Sequence, residues 1–499
     1  MKKFITIHGH FYQPPRENPW TGEVDVEESA KPFHDWNERI AKECYDANTQ
    51  ASILDTNGNV AVRVNNFSDI SFDFGPTLLS WLKRKDPATY LKILEADRES
   101  VRVRGGHGNA MAQIYNHVIM PLASARDKRT QVVWGIRDFE FHFKRKPEGM
   151  WLSETAVDRQ TLNILAEEGI LFTVLAPHQA RRVRHVGFGS RWAHTHYEGI
   201  NTRHAYRILL EHGKQFHIFF YDGALSRDIA FHGILNSGEA FAQKLLGAFG
   251  TREREQLVST ATDGESYGHH HKFGEMALAY AVKKIEDDNH AFITNYAEFL
   301  DRFGSFWEAD IHENSSWSCA HGVERWRADC GCRLSHEPGW NQRWRATLRE
   351  AFDFLKEIVD RVFEKELAPL VKDPWKARDL YVDVMLDPST ISKDRFLARH
   401  ASHKLTQAEE NKIWNLLEAE KFALFMYTSC GWFFDEISGI EPVQVMKFAA
   451  RAMEYVQPYY NKDIETFFLQ ILDHAKSNIP AMGTGKDVYN RFVKTAKPS

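Results

Sequence analysis

The run Leu257-Val258-Ser259-Thr260-Ala261-Thr262-Asp263-Gly264-Glu265-Ser266-Tyr267-Gly268-His269-His270-His271 settles the class of fold. Leu257–Thr262 is apolar and β-branched, as a buried strand requires, and the polar, glycine-containing stretch after it ends that strand. Just beyond, Phe273, Met276, Ala277, Tyr280 and Ala281 recur at the i, i+3, i+4, i+7, i+8 spacing of one helix face. Strand, loop and helix together make one βα unit, and its loop is dense in carboxylates and histidines.

The pattern repeats upstream. Strands are expected at Phe4–His8, Val62–Asn65, Val101–Arg104, Gly149–Leu152, Leu171–Leu175, His217–Tyr221 and Leu257–Thr262, with a last one at Ala291–Thr294. Amphipathic stretches lie between them; one, Thr77–Lys83, opens at Pro76, a residue favoured at the first helical position. Seven or eight such units point to a closed parallel α/β barrel rather than an open sheet. Past residue 305 the period changes. Leu348, Phe352, Leu355, Val359 and Val362 keep the 4-3-4-3 spacing of a bundle face, and helical stretches follow near 407–427, 441–457 and 461–477. The expected division is a barrel over 1–305, an aperiodic segment rich in Trp, Cys and His over 306–340, and a helical domain over 341–499. Long aperiodic segments inside compact proteins are usually functional, and Trp317, Trp326 and Trp340 argue against disorder in this one.

Composition narrows the function. With 43% hydrophobic and 26% charged residues in 499, the chain has the proportions of a globular protein, not of a disordered or fibrous one. The net charge of −5 and the absence of a basic stripe argue against a nucleic-acid partner. Aromatics reach 13%, which suits flat surfaces that stack on sugar faces. Five cysteines, an odd count, point to a reducing compartment, and no apolar core of a signal peptide or membrane span develops. The expected location is cytoplasmic, with no membrane partner.

In a parallel barrel, chemistry sits in the loops after the strands. Those loops offer His8, His10 and Gln13 after the first strand, His107 after the third, Trp151 and Glu154 after the fourth, Asp228 beyond the sixth, and Asp263, Glu265, Tyr267 and His269 after the seventh. Glu154 and Asp263 stand out, each directly after an apolar strand and near an aromatic ring. Two carboxylates flanking a glycosidic bond suffice to cleave it, one attacking the anomeric carbon and one protonating the leaving oxygen. Glu265 competes with Asp263: two residues apart on an extended segment, they point the same way. His10, His107 and His269 are expected to contact sugar hydroxyls, and Trp20, Trp151 and Trp317 to stack on rings.

The histidines also suggest a metal. His8, His10 and Asp263 would make an N/O site for a metal-dependent carbohydrate hydrolase, although no HExxH or similar tight spacing occurs. Cys319, His321, Cys330 and Cys332 form a second group, C-x-H-x8-C-x-C, whose chemistry suits zinc but whose one-residue gaps differ from C-x2-C. The expectation is that no metal is bound, that this segment is a substrate loop with buried thiols, and that Cys44 and Cys430 belong to the core.

With these residues in view, the chain resembles glycoside hydrolase family 57. His8-Gly9-His10-Phe11-Tyr12-Gln13-Pro14 matches the family's His-x-His-x-Gln-Pro motif with one residue extra. Trp151-Leu152-Ser153-Glu154 resembles its Trp-Leu-Pro-Glu motif, with Ser153 in place of Pro. Asp263-Gly264-Glu265-Ser266-Tyr267-Gly268 matches Asp-x-Glu-x-Phe/Tyr-Gly. Looser echoes are Gly106-His107-Gly108-Asn109 and Trp317-Ser318-Cys319-Ala320-His321-Gly322, which adds His321 to the substrate-binding set. The tail around Cys430–Glu436 is similar to an uncharacterised subgroup. The resemblance implies an incomplete TIM-like (β/α)7 barrel followed by an α-helical region, and a retaining mechanism on α-glucans or oligosaccharides without metal or organic cofactor. It also implies that Glu154 is the nucleophile and Asp263 the acid/base. Family members include α-amylases, 4-α-glucanotransferases and branching enzymes. A different class, a non-catalytic glucan-binding protein, would keep the aromatic groove and turn over nothing.

Overall fold

The computed structural model describes residues 2–187, 189–195, 199–251 and 255–497. They group into two compact units. The first takes Met1–Gln13, Val26–Gln113 and Phe139–Trp317; the second takes Pro14–Asp25, Ile114–Asp138 and Ser318–Ser499. Contacts therefore divide the chain between Trp317 and Ser318, inside the segment expected to stand by itself, and two segments from the N-terminal half join the helical unit, the second of them carrying most of the helix Ala125–Phe143.

The first unit is built on seven parallel strands: β1 Lys2–Phe11, β2 Ser71–Phe74, β3 Ala110–Gln113, β4 Met150–Trp151, β5 Phe172–Leu175, β6 Gln215–Phe220 and β7 Glu255–Asp263. β1 lies between β7 and β2, and the order continues through β3 and β4. A parallel bridge from Gly149 to Phe172 leads on to β5, which pairs with β6. The succession is that of a wound barrel. Its remaining seam is bridged by the Asp222 amide on the Ser259 carbonyl, with no β6–β7 ladder among the described residues. The fold is thus a curled, incomplete (β/α)7 barrel, as expected. Phe4, Trp151, Phe172, Val174, Phe219 and Leu257 fill its interior. β6 also carries a mixed extension through Ala205–Leu209, Trp307–Ile311, Ala180–His185 and Ala193–His194, antiparallel except between the first two of these strands.

Five of the eight expected strands are barrel strands, and Phe292–Ile293 pairs with β1 near its start. Two expectations are corrected. Val60–Val64 is a strand and itself exposed, but among the described residues it pairs only with Ala51–Leu54, a strand that buries Ala51 and Ile53. Val101–Arg104 closes the helix Pro87–Val103, whose buried Tyr90, Ile93, Leu94 and Asp97 keep the helical period. The true second and third strands, Ser-Phe-Asp-Phe and Ala-Met-Ala-Gln, are four residues each. They carry no β-branched residue, and their strand character comes from burial between neighbours. The helix after β7 spans Gly274–Asp287, and its buried face is Ala277, Leu278, Ala281, Val282 and Ile285. The expected stripe is rotated: Phe273 is exposed and left-handed at the helix start.

The second unit is helical. Trp344–Leu367 buries Leu348, Phe352, Leu355, Val359 and Val362, as their spacing predicts. Gln407–Phe425, Ile440–Val456 and Ile464–Leu472 pack with it. Pro374–Leu380, Val382–Leu386 and Thr390–His400 are additional helices, too short to show a period in sequence. No helix among the described residues is long and apolar enough to cross a membrane.

Candidate active site

The site of interest lies at the C-terminal ends of β1, β2, β4, β6 and β7. Parallel register sets His10 of β1 beside Asp263 of β7 on one side and Asp73 of β2 on the other. Asp73 is fully buried and serves both histidines: Oδ1 lies 3.0 Å from Nε2 of His8, and Oδ2 lies 2.8 Å from Nδ1 of His10. Nδ1 of His8 is taken by the Ser71 hydroxyl at 3.0 Å. Alternation along β1 and β2 puts all four side chains on the inner face.

One carboxylate cannot hold two imidazolium ions equally. For His8, burial outweighs Asp73 and lowers the pKa, so the ring is neutral, donating from Nε2 and accepting at Nδ1. Burial opposes the charge on His10 as well. There Asp73, helped by Asp263 and Glu265, outweighs it and lifts the pKa to about 9. Asp73 stays ionised: burial works against it, but His10 holds its pKa below the usual value. The result is a buried cation directly beside Asp263.

Asp263 and Glu265 do not point the same way. The strand ends at Asp263 and Gly264–Ser266 forms a turn of 3-10 helix, which breaks the alternation. Asp263 opens to solvent, whereas Glu265 is buried, its Oε1 accepting from the Tyr45 hydroxyl at 2.6 Å and the Tyr12 amide at 3.1 Å. Desolvation is the leading cause raising the pKa of Asp263; His10 opposes it and Asp73 adds to it. For Glu265 burial raises the pKa to about 7 against the pull of Tyr45. Gly264 permits this turn: a Cβ there would lie 2.4 Å from the Phe11 ring.

Glu154 follows β4 in a short turn and is half-buried. It sits at φ 57°, ψ 22°, and Thr155 follows at φ 49°; two consecutive non-glycine residues in the left-handed region are rare and store strain. Trp317 fixes the turn twice. Its backbone amide donates to the Glu154 carbonyl at 3.0 Å, and its indole Nε1 donates to Oε2 of the carboxylate at 2.9 Å. Trp151 is fully buried, stacked on His8 and His10 with centroids 4.8 and 5.1 Å away, and meets the Trp317 ring edge-on at 5.2 Å. Tyr221, at the end of β6, lies edge-on to Trp317; burial raises the pKa of its phenol and the nearby Asp263 adds to the shift.

The other expected site residues lie as follows. Gln13 is beside Tyr12 and Tyr45 at the end of β1. His269 is bound to Glu43 at 2.5 Å and sits against Trp36. Tyr267 is buried beneath the β7 turn, so its ring has no face open for stacking. His107 precedes β3, at the opposite end of the strands, and holds Glu148 at 2.8 Å. Asp228 lies on the helix Gly223–Phe231, paired with His232 and Lys244. Trp20 and His321 belong to the second unit; the Trp20 indole donates to Glu454 at 2.8 Å. Asp73, Tyr45 and Tyr221 were not anticipated. Asp73 lies on an unrecognised strand, Tyr45 on an irregular helical turn, and only Tyr221, at a predicted strand end, carried a signal. His8 has both ring nitrogens engaged, Nδ1 with the Ser71 hydroxyl and Nε2 with Asp73.

Comparison with known proteins agrees with this architecture. The sequence profile of glycosyl hydrolase family 57 matches residues 4–306, and that of a domain of unknown function, DUF3536, matches 340–499. No curated protein matches the chain. Among solved structures, an exo-type maltose-forming amylase from Pyrococcus sp. ST04 superposes with a TM-score of 0.72 at 17% identity, over 95% of this chain and 83% of that one. A branching enzyme from Pyrococcus horikoshii gives 0.55 at 14% identity over 100% and 97%. A 4-alpha-glucanotransferase from Thermococcus litoralis gives 0.51 at 15% over 92% and 58%. These likenesses are of fold; the profile covers more than half of the chain, and the chain belongs to glycosyl hydrolase family 57.

Proposed function

We propose that the protein is a retaining glycosidase or transglycosylase acting on α-glucans, with Glu154 as nucleophile and Asp263 as acid/base. The observation that carries this reading is the contrast between the strand-end carboxylates. Glu154 is aimed by a strained turn and held at one oxygen by the Trp317 indole, and Asp263 is open to the cleft while Glu265 is buried and engaged. The substrate class follows the relatives, an amylase, a glucanotransferase and a branching enzyme.

In this mechanism Glu154 attacks the anomeric carbon while Asp263, protonated, gives its proton to the departing oxygen. The raised pKa of Asp263 favours the acid form this step needs. Asp263, now ionised, takes a proton from water or a sugar hydroxyl, which attacks the glycosyl-enzyme and frees Glu154. The His10 cation steadies the ionised form between the two steps. The half-buried Trp317 offers a ring to the sugar, and Trp151 beneath it keeps His8, His10 and Trp317 in place.

Maltoheptaose and amylose, incubated separately with wild type and Glu154→Ala and resolved by chromatography, test the reading. New oligosaccharides from the wild type alone support it; longer products indicate transfer, shorter ones hydrolysis, and new branch linkages a branching enzyme. Unchanged sugars in both samples, with glucan binding retained, would overturn it in favour of a binding protein.

A further inference from the structure

Cys319, His321, Cys330 and Cys332 come from a stretch with little regular structure: between Trp317 and Trp344 a single short turn of 3-10 helix, Glu324–Trp326, is assigned. Four side chains separated by up to thirteen positions nevertheless converge. One ligand atom from each lies within 4.8 Å of all the others. The sulfur of Cys319 is 3.9 Å from that of Cys330 and 3.8 Å from that of Cys332, and the Cys332 sulfur is 3.6 Å from Nδ1 of His321.

These lengths have a meaning. Zinc binds thiolate sulfur at about 2.3 Å and imidazole nitrogen at about 2.0–2.1 Å in a tetrahedron, whose edges are then about 3.8 Å between sulfurs and about 3.6 Å between sulfur and nitrogen. A disulfide needs sulfurs about 2.05 Å apart. The thiols are free and spaced for a shared ion rather than for each other. The segment is anchored beside the cluster: Arg345, whose side chain is fully buried and lies 3.7 Å from Asp435, donates to the Cys332 carbonyl at 2.8 Å. Gly331, at φ 81°, makes the turn between Cys330 and Cys332 that a side chain would resist.

We propose that Cys319, His321, Cys330 and Cys332 form a structural zinc site that staples the irregular segment of the helical unit. Three sulfurs and one nitrogen select a thiophilic, tetrahedral ion over magnesium or calcium. All four positions are filled by protein, so the ion holds structure and keeps no open place for water or substrate. Binding displaces the protons of the three thiols, and the ion closes loops that backbone pairing leaves open. The site stands on this geometry alone and is independent of the activity proposed above.

The test uses the full-length protein, purified without a metal-affinity step and analysed by inductively coupled plasma mass spectrometry. One zinc per chain is expected in wild type, Cys44→Ser and Cys430→Ser, and none in Cys330→Ser/Cys332→Ser. Because the double variant can fail to fold, wild type stripped of metal and refilled with cobalt(II) gives a second reading. Thiolate-to-cobalt charge-transfer bands with the intense visible bands of a tetrahedral ion support the site. A wild type that takes up no stoichiometric zinc or cobalt, a disulfide among these cysteines by peptide mapping, or full zinc retention in a folded double variant would overturn it.

Discussion

The indole of Trp317 donates to Oε2 of Glu154 at 2.9 Å, across 163 positions of sequence. This bond fixes the direction in which the carboxylate faces. A hydrogen bond to a charged acceptor is worth about 1.5–3 kcal/mol. Trp317→Phe keeps the ring and removes the donor, so kcat on maltoheptaose is expected to fall roughly ten- to a hundredfold. An unchanged kcat would mean that the bond only supports the turn.

Glu154→Gln is nearly isosteric and keeps an acceptor for the indole, so the fold is expected to survive. Activity is not: loss of a nucleophile costs on the order of 10⁴-fold in kcat or more. In Glu154→Ala, which vacates the carboxylate's place, azide is expected to restore turnover of an activated glucosyl donor, with a glycosyl azide of inverted configuration as product, readable by NMR.

Asp263 and Glu265 separate by leaving group. Asp263→Asn is expected to lose about 10²- to 10⁴-fold on maltoheptaose, and far less on an aryl maltoside whose phenolate leaves without a proton. Glu265→Gln keeps an oxygen for Tyr45 and Tyr12, and its loss, under about tenfold, is expected to be equal on both substrates. The reverse pattern would make Glu265 the acid.

The pair of His10 and Asp73 carries a pH signature. The pKa of His10 rises from 6.5 to about 9 on folding, so the folded state holds this proton more tightly than the unfolded chain. The stability it contributes is complete below 6.5 and is lost as pH rises through about 9. Asp73 is held below its ordinary 3.8, so its share is present above that value and fades in acid. Asp73→Asn is therefore expected to cost about 3 kcal/mol in urea unfolding near pH 6, with a smaller gap near pH 9.5. A constant gap across that range would exclude a charged His10.

Much of this was legible in the chain. Long, well-patterned strands such as β1 and β7 announce themselves because burial on one side or both imposes β-branched and apolar residues along their length. The face Leu348–Val362 is as plain, since a helix with one side in a core repeats every three to four residues. The histidines near the end of β1, the carboxylate after β4 and those at and just past the end of β7 were visible for the same reason: a strand that ends in His, Glu or Asp beside glycine has little structural use for them.

Ser71–Phe74 and Ala110–Gln113 were not legible, because four residues held between two neighbours need no propensity of their own. With Ser71–Phe74 went Asp73, the residue that sets the charge states of His8 and His10.

The sequence by itself determined the βα alternation, the barrel class, the helical second half and the strand-end carboxylates proposed as acid and nucleophile. Only the tertiary structure decided which of Asp263 and Glu265 is open, which histidine carries the proton, and that four scattered ligands share one small volume. Each depends on distances between residues far apart in the chain, and local spacing carries no information about those until the backbone closes on itself.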